Sequence, residues 1–387
     1  MIKVIMIAHA SHSYFAHEGD DLKKIVLNDW YYKTASQLQK FHPEITVECW
    51  APEKMNKEYE TYEDGGITLR FFPTVFSPVY GLDFSFQMLL ALREEVEKSY
   101  AQGYKLVIHL HECHNLHGLI ILDLFRHQKI IVQHHGGSWP LKHLKENFKK
   151  LIFFPFFLLG QLYESRVIRH GYKFYALSEE EMKYLRRKNC NVVFRTMGIE
   201  DDYFEIIDKE HARKKLGINL KEKSLLFLGR ISKMKGLNYL LDAMQSLPGV
   251  QLYVAGYGKE REELERYAQE KNLSNVIFLG GLFGHEKLLH LSACDALVLP
   301  SLKEGAPVTV MEAMARNKPC VVSDVGGVKM MIEDGKNGII IPRGDVSALV
   351  EAITKILSWK EKDIQKYANV YKWKQIIADT VRDYTNE

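Results

Sequence analysis

Two glutamates stand close together in the stretch SLKEGAPVTVMEAMA, which runs from Ser301 to Ala315. Two carboxylates at short spacing, here Glu304 and Glu312, fit two kinds of chemistry. They can act as the acid and the nucleophile that cleave a glycosidic bond. Alternatively, they can accept hydrogen bonds from the hydroxyl groups of a bound ligand. The residues between the two glutamates favour the second interpretation.

A helix start is predicted between these glutamates. Pro307 is a favoured residue in the first turn of a helix, so we expect a helix to begin near it. The backbone N–H groups over residues 305–308 would then be free to bind an anion or a sugar oxygen. Glu304 would stand on the loop before this helix and Glu312 more than one turn inside it. The two carboxylates would therefore meet different parts of one extended ligand.

A second candidate site follows the apolar segment SLLFLG, where the chain continues as RISKMKG. Arg230 comes at the end of a predicted buried strand, and Lys235 precedes a predicted helix. An arginine can bind phosphate oxygens bidentately, and a lysine adds a point charge, so the pair fits a diphosphate group. The alternative interpretation is an ordinary basic turn in contact with solvent.

Histidines are concentrated in two other segments, VIHLHECHNLHG and IIVQHHGG. His109 and His111 alternate along a predicted strand, so they share one face and could ligate zinc. The alternative is a set of histidines at strand ends that line a polar cleft. The other residues of this group are Glu112, Cys113, His114, His117, His134 and His135.

Short apolar segments that would position these residues alternate with amphipathic helical segments along the chain. Examples are KVIMIAH, EITVECW and KLVIHLH in the first half, and SLLFLGR, VQLYVAG and ALVLP in the second. This alternation predicts βαβ units and parallel sheets buried on both faces. Because it occurs twice, we predict an α/β protein with two Rossmann-like doubly wound domains that face each other. Ligands bind at the carboxyl ends of such strands, which predicts a cleft between the domains.

The chain of 387 residues is too long for one ordinary core. A polar, lysine-rich segment, DKEHARKKLGINLKEKS, separates the two series of strands. We therefore predict domains at residues 1–205 and 206–360. Residues 361–387 are predicted to form a C-terminal helix that packs back across the domain junction, with Trp373 and Tyr384 as packing anchors.

The composition favours a globular protein, with 46% hydrophobic and 26% charged residues. A net charge of +3 is too small to indicate a nucleic-acid partner. Five scattered cysteines indicate reduced thiols, and the first residues resemble a strand more than a signal peptide. No apolar segment reaches the length of about 17 to 25 residues that spans a bilayer. We therefore expect a cytoplasmic protein.

One segment, residues 149–159 with the sequence KKLIFFPFFLL, could contact a membrane. It extends from Lys149 to Leu159 and is too short to cross a bilayer. Lysines beside phenylalanines and leucines fit a peripheral contact at the inner face of the membrane. The alternative is a buried connecting helix of the first domain.

The second half of the chain resembles a known family. The segments FLGRISKMKG, VAGYGKERE, VIFLGGLFGHEKLLHLSACDALVLPSLKEGAPVTVMEAMA and NGIIIPRGDVSALVEAI occur in order over about 130 residues. Together they resemble the donor-binding half of retaining GT-B glycosyltransferases of family 4, the glycosyl transferases group 1. The resemblance implies that a nucleotide sugar binds between two Rossmann-like domains.

The resemblance also implies roles for the candidate residues. Arg230 and Lys235 would neutralise the diphosphate, Glu312 would hold the ribose hydroxyls, and Glu304 would hold the transferred sugar together with the backbone amides that follow it. The backbone near Leu282 would contact the base. The implied donor-binding residues are Arg230, Lys235, Leu282, Glu304, Gly305, Ala306, Pro307, Val308 and Glu312.

The first half resembles the same family more loosely. IIVQHHGGSWP is similar to a family strand that ends in a histidine near the reacting sugar, and the match favours His135 over His134. His135 and Glu304 are thus the implied catalytic residues. The segment HASHSYFAHEGDD offers only Gly19 where the family often has paired glycines that contact phosphate. TMGIE keeps Gly198 of the usual P-N-G-[IV]-D segment.

The resemblance implies a retaining glycosyltransferase that moves a sugar from a nucleoside diphosphate sugar to a hydroxyl group. The acceptor would be a carbohydrate or a lipid-linked glycan. No cofactor and no metal are expected, because protein cations stabilise the leaving diphosphate in these enzymes. Four alternatives remain: a nucleotide-sugar epimerase or hydrolase, a glycoside hydrolase, a non-catalytic nucleotide-sugar-binding protein, and a longer phosphorylase that needs pyridoxal phosphate.

Overall fold

A computed structural model describes residues 1–8, 26–27, 29–53, 60–75, 84–135, 154–360 and 363–386, with residues 154–157 described by their backbone only. The chain forms two compact units. Unit 1 comprises Met1–Met197 and Ile377–Glu387, and unit 2 comprises Gly198–Ile376. The chain thus begins in unit 1, builds unit 2, and returns to unit 1.

Within the described residues, unit 1 contains one sheet of eight strands. They are β1 (Ile2–Ile7), β2 (Thr46–Glu53), β3 (Glu60–Asp64), β4 (Ile67–Pro73), β5 (Lys105–His111), β6 (Lys129–Gln133), β7 (Lys173–Ala176) and β8 (Val192–Phe194). Their order across the sheet is β3-β4-β2-β1-β5-β6-β7-β8. All neighbouring pairs are parallel except β3 and β4, which form an antiparallel hairpin at one edge. The strand order reverses between β1 and β5, so ligand chemistry is expected beyond the ends of these strands.

Helices connect most of these strands, as parallel pairing requires. They are α1 (Trp30–Phe41), α2 (Phe86–Gln102), α3 (Leu116–Leu124), α4 (Phe154–Val167) and α5 (Glu179–Arg187). Small polar residues start several of them: the side chains of Ser85, Asn115 and Ser178 each accept a hydrogen bond from an N–H group of the first turn. These caps fix the residues at which the loops after the strands end and the helices begin.

Unit 2 has a six-stranded sheet, and every pair in it is parallel. Its strands are β9 (Lys223–Leu228), β10 (Val250–Ala255), β11 (Val276–Gly280), β12 (Ala296–Leu299), β13 (Cys320–Ser323) and β14 (Gly338–Ile341). The order is β11-β10-β9-β12-β13-β14, which is the doubly wound order of a dinucleotide-binding domain. The order reverses between β9 and β12, and this point is the expected ligand site of the unit.

The helices of unit 2 are α6 (Lys209–Leu216), α7 (Leu237–Met244), α8 (Arg261–Glu270), α9 (Gly284–Ala293), α10 (Val308–Ala315) and α11 (Val346–Ile356). The last helix, α12 (Trp373–Thr385), begins in unit 2 and ends in unit 1. Both predicted packing anchors on α12 are buried, with Trp373 3% and Tyr384 0% exposed. The prediction of two doubly wound α/β domains is confirmed.

The units divide at Met197/Gly198, before the predicted boundary at residue 205. The cause is a set of contacts between residues 198–205 and the end of unit 2. Ile199 forms a β-bridge with Lys372, and Glu200 accepts a hydrogen bond from the Trp373 indole at 3.0 Å. Unit 2 likewise extends past residue 360, to Ile376. The polar connector that suggested residue 205 instead forms α6, within unit 2.

All five cysteines are buried free thiols. In the part of the chain that the structure describes, no helix combines the length and apolar character needed to cross a membrane.

Candidate functional site

Arg230 and Lys235 lie beyond the end of β9, on the loop that leads to α7. Arg230 is exposed and forms no ion pair with any described residue. Lys235 closes a single 3₁₀ turn, Lys233–Lys235, and Gly236 follows it with φ 65°. A Cβ atom on Gly236 would stand 2.1 Å from the carbonyl oxygen of Pro300. Only glycine therefore lets this loop rest directly on the end of β12.

This close approach brings Lys235 to Glu304. The lysine Nζ donates hydrogen bonds to both carboxylate oxygens of Glu304, at 2.6 and 2.9 Å. The hydroxyl of Ser301 donates a third bond to the same carboxylate at 2.6 Å. The side chains are 24% and 8% exposed, so the lysine is the more accessible partner. The structure thus joins two residues that the sequence placed in separate motifs.

The predicted helix start is confirmed to within one residue. Helix α10 begins at Val308, Pro307 occupies the N-cap position, and no side chain caps the first turn. The first N–H groups of a helix have no partner inside the helix, so these are open to an outside acceptor. Gly305 and Ala306 form the turn between this helix start and Glu304.

The loop after β13 supports this turn from the other side. The N–H of Gly327 donates to the carbonyl oxygen of Gly305 at 2.6 Å. Gly326 has φ 59°, and a Cβ atom there would stand 2.1 Å from the carbonyl oxygen of Glu304. The backbone of the Glu304 loop is therefore fixed between two other loops of the sheet edge.

Glu312 lies inside α10 and is 6% exposed. Its Oε1 accepts a hydrogen bond from Lys287 Nζ at 2.7 Å, while its Oε2 is buried without a hydrogen-bond partner among the described residues. Burial raises the pKa of Glu312, and both Lys287 and a side-chain hydrogen bond with Tyr203 oppose that rise. A buried carboxylate oxygen without a donor is costly, so Glu312 is prepared to accept a hydrogen bond from a ligand.

Sequence reasoning missed Lys287 and Tyr203, which surround Glu312. The ammonium of Lys287 lies 5.3 Å from the centre of the Tyr203 ring. Burial and the charge of Glu312 both raise the pKa of the Tyr203 hydroxyl. Lys287 stands in one of the segments that resemble the family, but no role was assigned to it there; Tyr203 follows two aspartates in the 3₁₀ helix Asp201–Phe204.

The loops after β9, β10 and β11 are linked by backbone hydrogen bonds. The N–H of Ile231 donates to the backbone carbonyl oxygen of Tyr257 at 2.7 Å, and the N–H of Gly256 donates to that of Gly280 at 2.7 Å. Leu282 follows on the same edge and is 6% exposed; its polar groups are those of its backbone. These links connect the loop of Arg230 with that of Leu282.

In unit 1, three histidines form a stacked row: His109 and His111 lie on the last part of β5, and His135 follows β6. His109 stacks on His111 at 4.8 Å, and His111 stacks on His135 at 5.1 Å between ring centres. His111 Nδ1 is 3.0 Å from His135 Nε2, and His109 Nδ1 is 2.6 Å from the Tyr384 hydroxyl. Burial lowers the pKa of His109 to about 3. His109 and His111, the pair considered for zinc, thus have these other partners.

Glu112 joins the loop of His135 to the end of β5. Its Oε2 accepts a hydrogen bond from the His135 N–H at 3.3 Å. Gly19, the candidate in the loop after β1, lies outside the described residues. The same holds for residues 136–153, which follow His135 and include the first part of the 149–159 segment.

Comparison with known proteins finds a family that matches the second half of the chain and relatives of similar sequence. Residues 208–373 match the family described as Glycosyl transferases group 1. An uncharacterized glycosyltransferase of Methanocaldococcus jannaschii is 32% identical over 192 residues, which are 46% of this chain and 48% of that protein. The alpha-D-kanosaminyltransferase of Streptomyces kanamyceticus is 27% identical over 239 residues, 59% of this chain and 61% of that protein. The chain spans about half the length of the curated relatives it matches.

Solved structures match over nearly the whole chain. Sucrose-phosphate synthase from Thermosynechococcus elongatus has a TM-score of 0.70 at 21% identity, covering 99% of this chain and 98% of that one. HepE of Anabaena, solved in complex with UDP, has a TM-score of 0.68 at 17% identity, covering 98% of both chains. At 17% to 21% sequence identity, the similarity to these two structures shows the fold alone. Residues 208–373 resemble the glycosyl transferases group 1 family, and the two α/β units have the GT-B fold.

Proposed function

We propose that the protein is a retaining glycosyltransferase that moves a sugar from a nucleoside diphosphate sugar to a hydroxyl acceptor. The observation that carries this proposal is the contact between Lys235 and Glu304 at the point where the strand order of unit 2 reverses. A cation and a carboxylate held together there, beside an uncapped helix start, fit a phosphate linked to a sugar. A phosphate or a polyol alone would need only one of the two.

Each part of the nucleotide-sugar donor has a proposed binding partner in unit 2. Arg230 and Lys235 bind the diphosphate, and their charges stabilise the negative charge that develops as the bond to the sugar breaks. Glu304 and the N–H groups over 305–308 hold the transferred sugar. Glu312 accepts hydrogen bonds from the ribose through its unpartnered Oε2, and the backbone near Leu282 contacts the base.

The proposed reaction needs no metal at the diphosphate, because Arg230 and Lys235 supply the positive charge. We propose that His135 of unit 1 acts in the same reaction. The acceptor would attack from the face that the diphosphate leaves, which explains retention, and the leaving phosphate would help to deprotonate the acceptor. HepE was solved in complex with UDP. This favours UDP-sugars as the first donors to test.

A lipid-linked acceptor at the membrane is a second proposal, which rests on the surface of α4. Leu158, Leu159 and Leu162 on this helix are 45%, 64% and 63% exposed. Leucines that face solvent on one helix fit a peripheral membrane contact. Substitution of all three by serine should reduce sedimentation of the protein with anionic lipid vesicles; unchanged sedimentation would remove this proposal.

Thermal unfolding with UDP-, GDP- and ADP-sugars tests the main proposal, because a ligand of the native state raises the melting temperature. We expect one of these donors to stabilise the protein and to be consumed when an acceptor is present. Lys235→Ala and Glu304→Ala should each lower transfer at least a hundredfold without loss of the fold. Lys233→Ala is the matched control, since Lys233 is an exposed lysine of the same 3₁₀ turn.

Three outcomes would contradict the proposal. One is the absence of binding by any nucleotide sugar, and another is normal transfer by Lys235→Ala. The third is conversion of the donor at equal rates with and without acceptor, which would identify an epimerase or hydrolase.

A further inference from the structure

Four potential metal ligands meet in unit 1 beyond the ends of two neighbouring strands. Glu112, Cys113 and His114 follow β5, and His134 follows β6. One donor atom from each of them lies within 4.8 Å of the donor atoms of the others. Because β5 and β6 are parallel neighbours, the residues after them reach the same edge of the sheet.

Two distances between side chains of this cluster are longer than hydrogen bonds and close to the separation of two ligands of one ion. Glu112 Oε1 lies 3.4 Å from His134 Nδ1 and 3.9 Å from His114 Nε2. Ligands at about 2.0 to 2.3 Å from a tetrahedral zinc ion lie about 3.3 to 3.8 Å from one another. Hydrogen bonds between nitrogen and oxygen are shorter, about 2.7 to 3.2 Å.

His134 gives a second, independent indication of a ligand. Its side chain is completely buried, and neither ring nitrogen has a hydrogen-bond partner among the described residues. Leaving a buried polar group without a partner costs about 1 to 3 kcal/mol. A metal ion beside the ring would remove this cost.

The surroundings hold the other ligands in place. Glu112 has φ 79°, a left-handed conformation that is unfavourable for glutamate, and its Oε1 accepts the N–H of Cys113 at 3.0 Å. His114 Nδ1 lies 3.4 Å from Glu164, which also accepts hydrogen bonds from the Tyr184 hydroxyl at 2.6 Å and from the Gln161 side-chain amide at 3.2 Å. A carboxylate behind a histidine ligand is a common feature of zinc sites, because it orients the ring.

We propose that Glu112, Cys113, His114 and His134 bind a zinc ion. Two imidazole nitrogens, a thiolate and a carboxylate are the donor types that zinc takes, and four protein ligands describe a closed, structural site. Binding displaces the proton of the Cys113 thiol. This site departs from the sequence-based expectation of no metal; the histidine group considered for zinc included these four residues, but the pair singled out was His109 and His111.

A zinc ion at this site would order the loop that carries His135. Glu112 bonds to the His135 N–H through Oε2 and would ligate zinc through Oε1. Zinc would therefore position the loop of His135 without contact with the substrate. This role does not depend on the donor site of unit 2, so it can fail while the proposed transfer reaction holds.

Metal analysis of the intact chain tests the proposal. We expect about one zinc per chain after exhaustive dialysis against chelator-free buffer. Replacement by cobalt should give the charge-transfer absorption of a thiolate ligand. Cys113→Ser should lose that absorption, and Cys49→Ser, which changes another buried thiol of unit 1, should keep it.

A stability measurement covers the case in which Cys113→Ser does not fold. We expect a strong chelator to lower the melting temperature of the wild-type protein by several degrees and added zinc to restore it. A folded wild-type protein with little zinc, no cobalt absorption and no response to chelator would overturn the proposal. The cluster would then be held together only by the contacts of Glu112 with His114 and His134.

Discussion

At the scale of single residues, each glutamate of the EGAPVTVME segment has its own lysine. Glu304 binds Lys235, and Glu312 binds Lys287. An acid and a nucleophile acting on one bond would not each be neutralised by a separate cation. The two pairs instead fit the proposal that the two glutamates bind different parts of one extended ligand. Arg230, without an ion-pair partner among the described residues, adds a positive charge to this region.

The unpartnered oxygen of Glu312 gives the first prediction. If Glu312 binds the ribose, the wild-type protein should bind a nucleoside diphosphate about ten to a hundred times more tightly than its 2′,3′-dideoxy analogue, because hydrogen bonds to a charged group contribute about 1.5 to 3 kcal/mol. Glu312→Gln should lose most of this preference while affinity for the dideoxy compound changes little. Isothermal titration calorimetry measures all four affinities.

Substitution of a nearby charged residue serves as the control for this cycle. Glu286→Gln changes an acid in the first turn of α9, the helix that also carries Lys287. It should leave the preference for ribose unchanged. If Glu312→Gln keeps the full preference, another group binds the ribose.

The sequence predicted part of this site because some residues strongly affect the local secondary structure. Pro307 identified the helix start, and the pattern of apolar strands placed Arg230 and Glu304 at strand ends. Lys287 could not be found in this way, since its meeting with Glu312 depends on how α9 packs beside α10. The free oxygen of Glu312 is likewise a property of the folded unit.

At the scale of elements, glycines bring the loops of unit 2 together. Gly236 allows the loop after β9 to contact the end of β12, and Gly326 allows the loop after β13 to contact the turn at Glu304. These positions combine a left-handed backbone with no space for a side chain. Backbone contacts therefore fix the loops at this edge of the sheet. The charged side chains of Lys235 and Glu304 extend from these loops.

Gly326→Ala should disturb donor binding without changing any polar group. Its new methyl group would stand 2.1 Å from the Glu304 carbonyl oxygen, so the Glu304 loop must move. We expect affinity for the nucleotide sugar to fall at least tenfold. Fluorescence or calorimetric titration of the donor measures this effect.

Gly335→Ala is the matched control for backbone strain. Gly335 also has a left-handed backbone, with φ 77°, but no atom lies within 4 Å of its would-be Cβ. Both variants should lose about 1 kcal/mol of stability from strain alone. Equal donor affinities in the two variants would show that the Glu304 loop tolerates the displacement.

The elements themselves were largely visible in the sequence. Parallel strands buried on both faces leave a strong apolar pattern, so both sheets were expected. Strand β3 was not, because ETYED is polar and mostly exposed at the sheet edge. The turn at Gly65 and Gly66, which both have positive φ, was the available signal for its hairpin.

At the scale of the whole molecule, the end of the chain completes the unit that the beginning of the chain started. Asp383 on α12 accepts hydrogen bonds from Lys173 at 2.5 Å and from Tyr175 at 2.8 Å, and it forms an ion pair with Arg195. Tyr384 beside it is completely buried. The boundary was harder to predict than the sheets, because residues 198–205 join unit 2 through partners about 170 positions away.

Asp383→Asn should destabilise unit 1 in a pH-dependent way. Burial would raise the pKa of Asp383, but Lys173, Tyr175 and Arg195 outweigh it and hold that pKa below its usual value. The stabilisation is thus complete above the unfolded pKa of about 3.9 and is lost as the pH falls through the lower folded value. At pH 7 we expect a loss of about 2 to 3 kcal/mol in the free energy of unfolding.

Denaturant unfolding of the wild type and the variant from pH 7 to pH 3 measures this effect. The difference between the two proteins should shrink as the pH approaches 3. Asp379→Asn, which removes a carboxylate from the same helix and its exposed pair with Arg382, should cost about 0.5 kcal/mol or less. A difference that stays constant with pH would show that the charge of Asp383 is not responsible.

The division of unit 1 between the two ends of the chain also has a consequence during protein synthesis. Residues 198–376 leave the ribosome before residues 377–387, so unit 2 has its complete sequence while unit 1 still lacks part of its own. Domains usually complete folding in the order of their synthesis. Here unit 1 is the first to begin synthesis and the last that can complete folding. Until residues 377–387 leave the ribosome, the surface that Tyr384 covers stays exposed to chaperones.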